Sequence, residues 1–270
     1  MNAAYPTAEH QRAAEAVVDF YRSQPGVEAV LLVNSCARGR ATPESCLDMA
    51  VLVPASVSDA EMEAMDREGR VLFADRIEFK RLKQHGQFAV LHFDHFNGRF
   101  VPSVWDDGNG PDGFELSLGN RLVYGVPLWE EGEHLARLKS DWLPYYDEDL
   151  RRQRLAMVKN ACLADLEHIA WYVDRGLYFA AFDRLYRAFQ EFLQALFIAH
   201  RVYPLAYNKW IREQVEGILE RPDLYRQLPP LLQIGRLESR ELIEKAGALK
   251  AFVTALTDEE PAFEGKPARP

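Results

Sequence analysis

The residues best suited to chemistry are a serine and an aspartate in the segment LLVNSCARGRATPESCLDMAVLV, residues 31–53. Ser35 follows the first apolar run and Asp48 opens the second. A serine hydroxyl and the unsatisfied backbone N–H groups of a short helix suit an anion such as a phosphate. A carboxylate suits a hard cation such as Mg²⁺. Because an acid in an apolar strand is costly to bury without a partner, Asp48 is the strongest functional candidate.

The two halves of this segment read Asn34-Ser35-Cys36-Ala37-Arg38-Gly39 and Ser45-Cys46-Leu47-Asp48. They resemble the signature of the nucleotidyltransferase superfamily typified by DNA polymerase β, which includes the small bacterial kanamycin, lincosamide and streptomycin nucleotidyltransferases. In those families a strand ends in Gly-Ser and a short helix carries Ala-Arg-Gly. The next strand then opens with Ser-Asp-hydrophobic-Asp, and the spacing between the two halves is kept here.

The resemblance implies transfer of a nucleoside monophosphate from a nucleoside triphosphate to an acceptor that the sequence does not identify. The reaction is an in-line displacement in which Mg²⁺ neutralises developing charge. Asp48 would bind the Mg²⁺, and the acceptor would enter a cleft between two domains. The nucleotide would be held by the turn at residues 35–39, which comprises Ser35, Cys36, Ala37, Arg38 and Gly39.

Departures from the family pattern affect the metal site most. Asn34 replaces a glycine, a mild change because Asn tolerates left-handed backbone. Cys46 replaces the first metal-binding aspartate, and a thiol is a poor ligand for Mg²⁺. The family also uses a third acid from a later strand, which would fall near Pro102 or Ser103. Since neither can serve, the remaining candidates are Glu78, Asp94 and Asp106. Asp94 shares a strand face with His92 by alternation, so that pair would compensate.

A second, weaker resemblance lies in LFIAHRVYPLAYNKWIREQ, residues 196–214. It is similar to the helical C-terminal segment of bacterial nucleotidyltransferases, where Tyr-Pro and Lys-Trp follow a long apolar helix. The resemblance implies that Lys209 and Trp210 line the cleft facing the nucleotide; ordinary helix packing explains them equally well.

Other clusters of polar residues have simpler readings. Cys36 and Cys46 would form a soft-metal or redox set with His92 or His95, but the spacing of the two cysteines matches no familiar zinc pattern. Burial as two small residues is therefore favoured. In HFDHF, alternation sends His92 and His95 to opposite faces, which favours ordinary exposure over a metal cluster. The basic residues of one further run would steer a triphosphate or a nucleic acid, although a solvated strand edge is favoured: Arg76, Lys80, Arg81 and Lys83.

The elements that must position these residues change in kind near residue 145. A helix is predicted from Ala8 to Ser23, and a capping box at Ser58 and Glu61 predicts another to Ala74. Strands are predicted at five apolar or alternating runs, 27–33, 47–53, 76–82, 88–96 and 99–105. Asn97-Gly98 predicts a type I′ hairpin between the last two.

From Asp147 onward the helical period dominates. The fold class predicted is therefore α+β: a mixed sheet with flanking helices, resembling a nucleotidyltransferase domain at residues 1–145, and a helical bundle at 146–258. Residues 259–270 read as a flexible tail.

Composition bounds the environment and the partners. The chain has 270 residues with 48% hydrophobic and 27% charged, and a formal net charge of −9, which disfavours non-specific nucleic-acid binding. No apolar run is long enough to span a bilayer, and the start of the chain lacks a secretory signal pattern. An odd count of three cysteines fits a reducing cytoplasm. The oligomeric state stays open.

Three hypotheses follow from these residues. The first is a Mg²⁺-dependent nucleotidyltransferase. The second is a catalytically inactive relative that acts as a nucleotide-binding or protein-interaction module. The third is a structural protein in which the motif at residues 34–51 reflects ancestry alone.

Overall fold

The computed structural model describes residues 3–103 and 109–257. The chain forms two compact units, the first comprising Met1–Val101 with Ser117–Leu143, and the second Pro102–Leu116 with Pro144–Pro270. The first contains the sheet and the second is helical, which confirms the α+β fold class. The domain boundary at residue 145 stays a prediction, and Asp106 and the tail 259–270 lie outside the described residues.

Within the described residues, the first unit contains a four-stranded mixed sheet of order β3-β2-β1-β4. The strands are β1 (Ala29–Leu32), β2 (Leu47–Leu52), β3 (Leu91–Phe96) and β4 (Val126–Glu130). β1 pairs antiparallel with both β2 and β4, whereas β2 and β3 are parallel. All residues of β1 and β2 are buried, as their continuous apolar runs predict.

The two faces of this sheet have different roles. Val30, Met49, Val51 and Phe93 belong to the hydrophobic core of the first unit. Helices α1 (Ala8–Tyr21) and α3 (Asp59–Ala74) pack against that side. Because strand residues alternate between faces, Asp48 points to the opposite side.

The local signals that start these helices are confirmed. The Thr7 side chain accepts a hydrogen bond from the His10 backbone N–H and caps α1. Ser58 and Glu61 form the predicted capping box of α3. The other helices of the unit are α2 (Asn34–Ala37), α4 (Ile77–Leu82), a 3₁₀ turn (Lys83–His85), a π-helical turn (Gly119–Val123) and α6 (His134–Trp142).

The strand predicted at residues 76–82 is wrong, because this segment forms helix α4. Phe79 and Leu82 are buried while Ile77 is 54% exposed. Two buried residues three positions apart fit a helical face better than a strand. The Lys80, Arg81 and Lys83 side chains are therefore exposed at the helix and its end, not along a strand edge.

The hairpin predicted at Asn97-Gly98 is also wrong, since residues 99–103 form no strand. The Asn97 amide donates to the Val57 carbonyl over 2.7 Å, and its oxygen accepts from the Arg99 backbone N–H over 3.1 Å. These contacts turn the chain away from the sheet. Instead the edge beside β1 is taken by β4, which the sequence reading missed.

The second unit is built on two long paired helices, α7 (Glu148–Asp174) and α8 (Tyr178–Ala199). Its other helices are α5 (Phe114–Leu118), which crosses the unit boundary, a π-helical turn (Glu213–Ile218), α9 (Pro222–Tyr225), α10 (Leu228–Leu232) and α11 (Glu241–Thr257). α11 packs on both long helices around an apolar core. None of the described helices combines the length and apolar character needed to cross a membrane.

A buried ion pair ties residues 112–115 to α7. The Arg154 guanidinium donates to both oxygens of Glu115, over 2.6 and 2.9 Å, and to Asp112 over 2.6 Å. Tyr146 and Gln194 donate to the same Glu115 carboxylate. Glu115 has no solvent exposure and Arg154 has 2%. This shared network holds α5 against α7 in the second unit.

Candidate functional site

The turn after β1 lies beside the start of β2. The Val33 backbone N–H donates to the Asp48 carbonyl over 3.0 Å. At Asn34 the chain takes a left-handed conformation, with φ of 56°, and enters α2. The Arg40 N–H closes the turn on the Ser35 carbonyl over 2.9 Å. The bond from Val33 places the backbone two residues before Ser35 beside Asp48, and a pocket shared by the Ser35 and Asp48 side chains stays a prediction.

Asp48 itself is 9% exposed and has two side-chain partners. The Cys46 thiol donates to Oδ2 over 3.2 Å. The Nδ1 atom of His92 lies 3.3 Å from Oδ1. Pairing of β2 with β3 places His92 directly opposite Asp48. An acid at the start of an apolar strand is therefore stabilised by polar partners, as the burial argument requires.

These three side chains form the cluster of metal-ligating type within the described part of the chain. One ligand atom from each of Cys46, Asp48 and His92 lies within 4.8 Å of the others. The sequence analysis considered Cys36 and Cys46 with His92 or His95 and did not combine Cys46 and His92 with Asp48. Alternation along the chain puts Cys46 and Asp48 on one side, and only the β2–β3 register adds His92.

Cys36 plays a different part from Cys46. It is 1% exposed and its thiol contacts the Cys46 carbonyl over 3.6 Å. Burial, followed by the Asp48 carboxylate and Cys46, raises the pKa of the Cys36 thiol to about 12. A thiol that stays protonated at neutral pH is a poor metal ligand and nucleophile. The favoured reading of Cys36 as a small buried residue fits this environment.

Asp94 lies on the same sheet face as Asp48, opposite Ala50. Its carboxylate pairs with the Arg121 guanidinium. That guanidinium also stacks over Phe96, 4.9 Å from the ring centroid. Asp94 is thus on the predicted face but is held by a cation from the π-helical turn. Its assignment as a catalytic acid stays a prediction.

Glu78 has a different position from the one that its strand assignment implied. It lies in the first turn of α4, and its carboxylate meets the Arg76 guanidinium at 3.4 Å. A hydrogen bond from its own backbone N–H, with a smaller effect of Arg76, lowers the pKa of Glu78. The argument from strand alternation no longer applies to it, although its catalytic role is untested.

Lys209 belongs to the second unit and lies in the exposed loop before the π-helical turn Glu213–Ile218. Its carbonyl accepts from Gln214 over 3.1 Å, and neighbouring Trp210 has a left-handed φ of 60°. Gln214 also bonds to Leu205 and Ala206. The loop is therefore built around a buried glutamine, and a nucleotide contact of Lys209 remains a prediction.

His95 points to the opposite face from His92, as alternation predicts. Its Nδ1 lies 2.6 Å from Asp66 Oδ1, which also accepts from the His95 backbone N–H over 3.0 Å. His95 lines a cavity of about 340 Å³ between α1 and α3 that includes Phe20, Met65 and Leu72. This face is apolar and is separated by the sheet from the Asp48 cluster.

Comparisons with known proteins add a likeness of fold. No model of a known protein family matches the chain, and no curated protein matches it. Among solved structures, the chain is similar to a nucleotidyltransferase-like protein from Exiguobacterium sibiricum, with 14% sequence identity and a TM-score of 0.47. The match covers 92% of this chain and 74% of the other. A likeness at this identity concerns the fold alone.

Proposed function

We propose that this protein binds a nucleoside triphosphate at the 35–39 turn and does not transfer its nucleoside monophosphate by Mg²⁺-dependent chemistry. The observation that carries this proposal is the 3.0 Å hydrogen bond from Val33 N–H to the Asp48 carbonyl. This bond brings the end of β1, from which the 35–39 turn follows, next to Asp48, and the residue two positions before Asp48 is Cys46. The nearby chemistry therefore favours holding a polyphosphate over activating one.

The turn has the properties that a phosphate requires. Ser35 is half-buried and its hydroxyl stands at the start of a short helix, where backbone N–H groups are unsatisfied by the helix itself. Gly39 has a φ of 66°, a conformation that costs a residue with a side chain more than it costs glycine. Gly39 is exposed and has no side chain, so an oxygen atom of a phosphate chain can approach its backbone.

The metal side of the site argues against transfer. Two-metal chemistry relies on oxygen ligands that hold Mg²⁺ near the reacting phosphate. Asp48 offers a carboxylate, but Cys46 offers sulfur and Asp94 already pairs with Arg121. Among the described residues of this sheet face, Asp94 has an arginine partner, whereas the partners of Asp48 are Cys46 and His92.

Calorimetric titration with ATP, GTP, CTP and UTP, with and without Mg²⁺, tests the proposal. We expect binding of at least one nucleotide, and binding that persists without Mg²⁺. Ser35→Glu places a carboxylate against the phosphates, and a like-charge contact costs enough to weaken binding at least about tenfold. The matched control is Ser23→Glu, because Ser23 is exposed and bonds only to the end of α1 at Phe20.

Two results would overturn this proposal. One is the absence of binding by all four nucleotides at millimolar concentration. The other is equal affinity of the Ser35→Glu and Ser23→Glu variants, because the nucleotide would then bind elsewhere.

Nucleotidyl transfer is the second candidate function. It is favoured by the shared face of Asp48, His92 and Asp94 on neighbouring strands. Release of Asp94 from Arg121 would add a second carboxylate to that face. Incubation with α-phosphate-labelled nucleotides and candidate acceptors, including small molecules, proteins and RNA, tests it. Label transferred by the wild type, and lost in Asp48→Asn, would establish transfer in place of simple binding.

A further inference from the structure

We propose that Cys46, Asp48 and His92 form a binding site for a divalent transition-metal ion of the Zn²⁺ type. This inference goes beyond nucleotide binding and does not rest on it. Cys46 immediately precedes β2, Asp48 lies in β2, and His92 occupies the paired position on β3. They provide a thiolate, a carboxylate and an imidazole.

The distances fit a small ion bound by all three groups. Zinc lies about 2.3 Å from sulfur and about 2.0–2.2 Å from nitrogen or oxygen, so two ligands of a tetrahedral ion stand roughly 3.4–3.6 Å apart. Here the Cys46 sulfur lies 3.2 Å from Asp48 Oδ2, and His92 Nδ1 lies 3.3 Å from Oδ1. All three ligand atoms fall within 4.8 Å of one another. The two short distances reach different oxygens of the Asp48 carboxylate, so side-chain rotation would be required to bring all three ligand atoms to one ion.

The ligand types favour zinc over magnesium. Mg²⁺ requires oxygen ligands, whereas thiolate and imidazole suit Zn²⁺ and its neighbours in the transition series. The thiolate of Cys46 and the carboxylate of Asp48 together balance a charge of +2. When the ion binds, the Cys46 proton leaves to solvent and a sulfur–metal bond forms. The replacement of an acid by a cysteine thus changes the class of ion that the position accepts.

The backbone holds this cluster in place before an ion binds. Leu47, which lies between Cys46 and Asp48 in the sequence, donates its N–H to the Val90 carbonyl over 3.0 Å. The Cys46 carbonyl accepts from the Cys36 thiol. Asp48 and His92 are paired in register. Only side-chain rotation remains, which limits the entropy lost on binding.

One side of the cluster faces solvent. The His92 side chain is 65% exposed, while that of Asp48 is 12% exposed. An ion can therefore enter from the His92 side. Three protein ligands leave a fourth tetrahedral position open to water or to an oxygen of another molecule, which is the arrangement of exchangeable rather than closed structural zinc sites.

Cobalt substitution of the full chain tests the site without nucleotide. The protein is stripped with a chelator under reducing conditions and titrated with Co²⁺. We expect one equivalent to give a near-ultraviolet sulfur-to-cobalt absorption band that Zn²⁺ abolishes and millimolar Mg²⁺ does not. Cys46→Ser should remove the band. His92→Ala should weaken binding at least about tenfold, since loss of even an outer partner of a ligand costs about 10–100-fold. The controls Cys162→Ser and His168→Ala lie in the second unit and should behave as wild type.

A measurement on the wild type avoids any effect of substitution on folding. Zn²⁺ should slow alkylation of Cys46, read by peptide mass spectrometry, and Mg²⁺ should not. Absence of a stoichiometric cobalt band, a wild-type band in folded Cys46→Ser, or equal alkylation with and without Zn²⁺ overturns the proposal. A metal site found in a protein that binds no nucleotide would refute the proposed function and leave this inference intact.

Discussion

Replacement of Cys46 by aspartate should put a second carboxylate beside Asp48, in the place of a neutral thiol. The two carboxylates should repel each other. The Cys46 sulfur lies 3.2 Å from Asp48 Oδ2, so the new carboxylate would lie close to the old one. Two charges about 4 Å apart repel by about 1 kcal/mol in water and about 4 kcal/mol near a protein surface. Because Asp48 is 9% exposed and Cys46 is half-buried, we expect an intermediate effect. Without bound metal, the free energy of opening β2 should fall by about 2 kcal/mol.

Mg²⁺ should restore this stability, because two carboxylates form an oxygen site for a hard cation. At 100 times its dissociation constant, an ion that binds only the folded state adds about 2.7 kcal/mol. Hydrogen exchange of segment 47–52, measured with and without Mg²⁺, reports the opening free energy of β2 locally. Cys46→Asn is the matched control, since it has a similar shape and no charge.

The reasoning is refuted by two results. One is equal protection of β2 in Cys46→Asp and Cys46→Asn without metal. The other is a Cys46→Asp protein that Mg²⁺ does not stabilise. Either would mean that residue 46 does not share a site with Asp48.

Three further predictions concern other parts of the chain. Glu115→Ala leaves the Arg154 charge buried with only Asp112, and should destabilise the second unit by about 3–5 kcal/mol in urea unfolding; a change below 1 kcal/mol would contradict the buried pair. Gly69→Ala places a Cβ 2.5 Å from the Phe93 ring and should cost about 1–3 kcal/mol by overpacking, with wild-type melting temperature as the contrary result. The pKa of Cys36, raised to about 12 by burial, then Asp48 and Cys46, keeps the folded thiol protonated, so raising the pH from 7 to 9 should speed alkylation of Cys36 in urea-unfolded protein but not in native protein.

Local sequence signals predicted the elements whose causes are local. The Ser58–Glu61 capping box starts α3 because both partners lie within one turn. The β-branched and aliphatic runs of β1 and β2 form buried strands because both faces are covered. The segment 76–82 was predicted as a strand because apolar and polar residues alternate at its start. Its apolar residues also recur at the helical period, and packing against α1 selects the helix. β4 was missed because Pro127 lies inside it, tolerated at an edge strand beside a register shift.

The candidate site followed from sequence only in part. The proximity of the Ser35 turn to Asp48 was predicted from a motif whose halves are joined by a short connection. The role of His92 depends on the β2–β3 register, which connects residues 44 positions apart. The pairing of Asp94 with Arg121 depends on a contact across 27 positions. Neither pair is separated by a distance in sequence that corresponds to a helical or strand period or to a known motif. Both contacts therefore become visible only in the tertiary structure.

A crystal structure with a non-hydrolysable nucleoside triphosphate tests the central claim most directly. We predict phosphate oxygens within hydrogen-bonding distance of the Ser35 hydroxyl and of the Cys36 and Ala37 backbone N–H groups. The N–H groups of Arg38, Gly39 and Arg40 already donate to carbonyls within the turn. A triphosphate bound away from this turn, or no bound nucleotide at saturating concentration, would contradict the account.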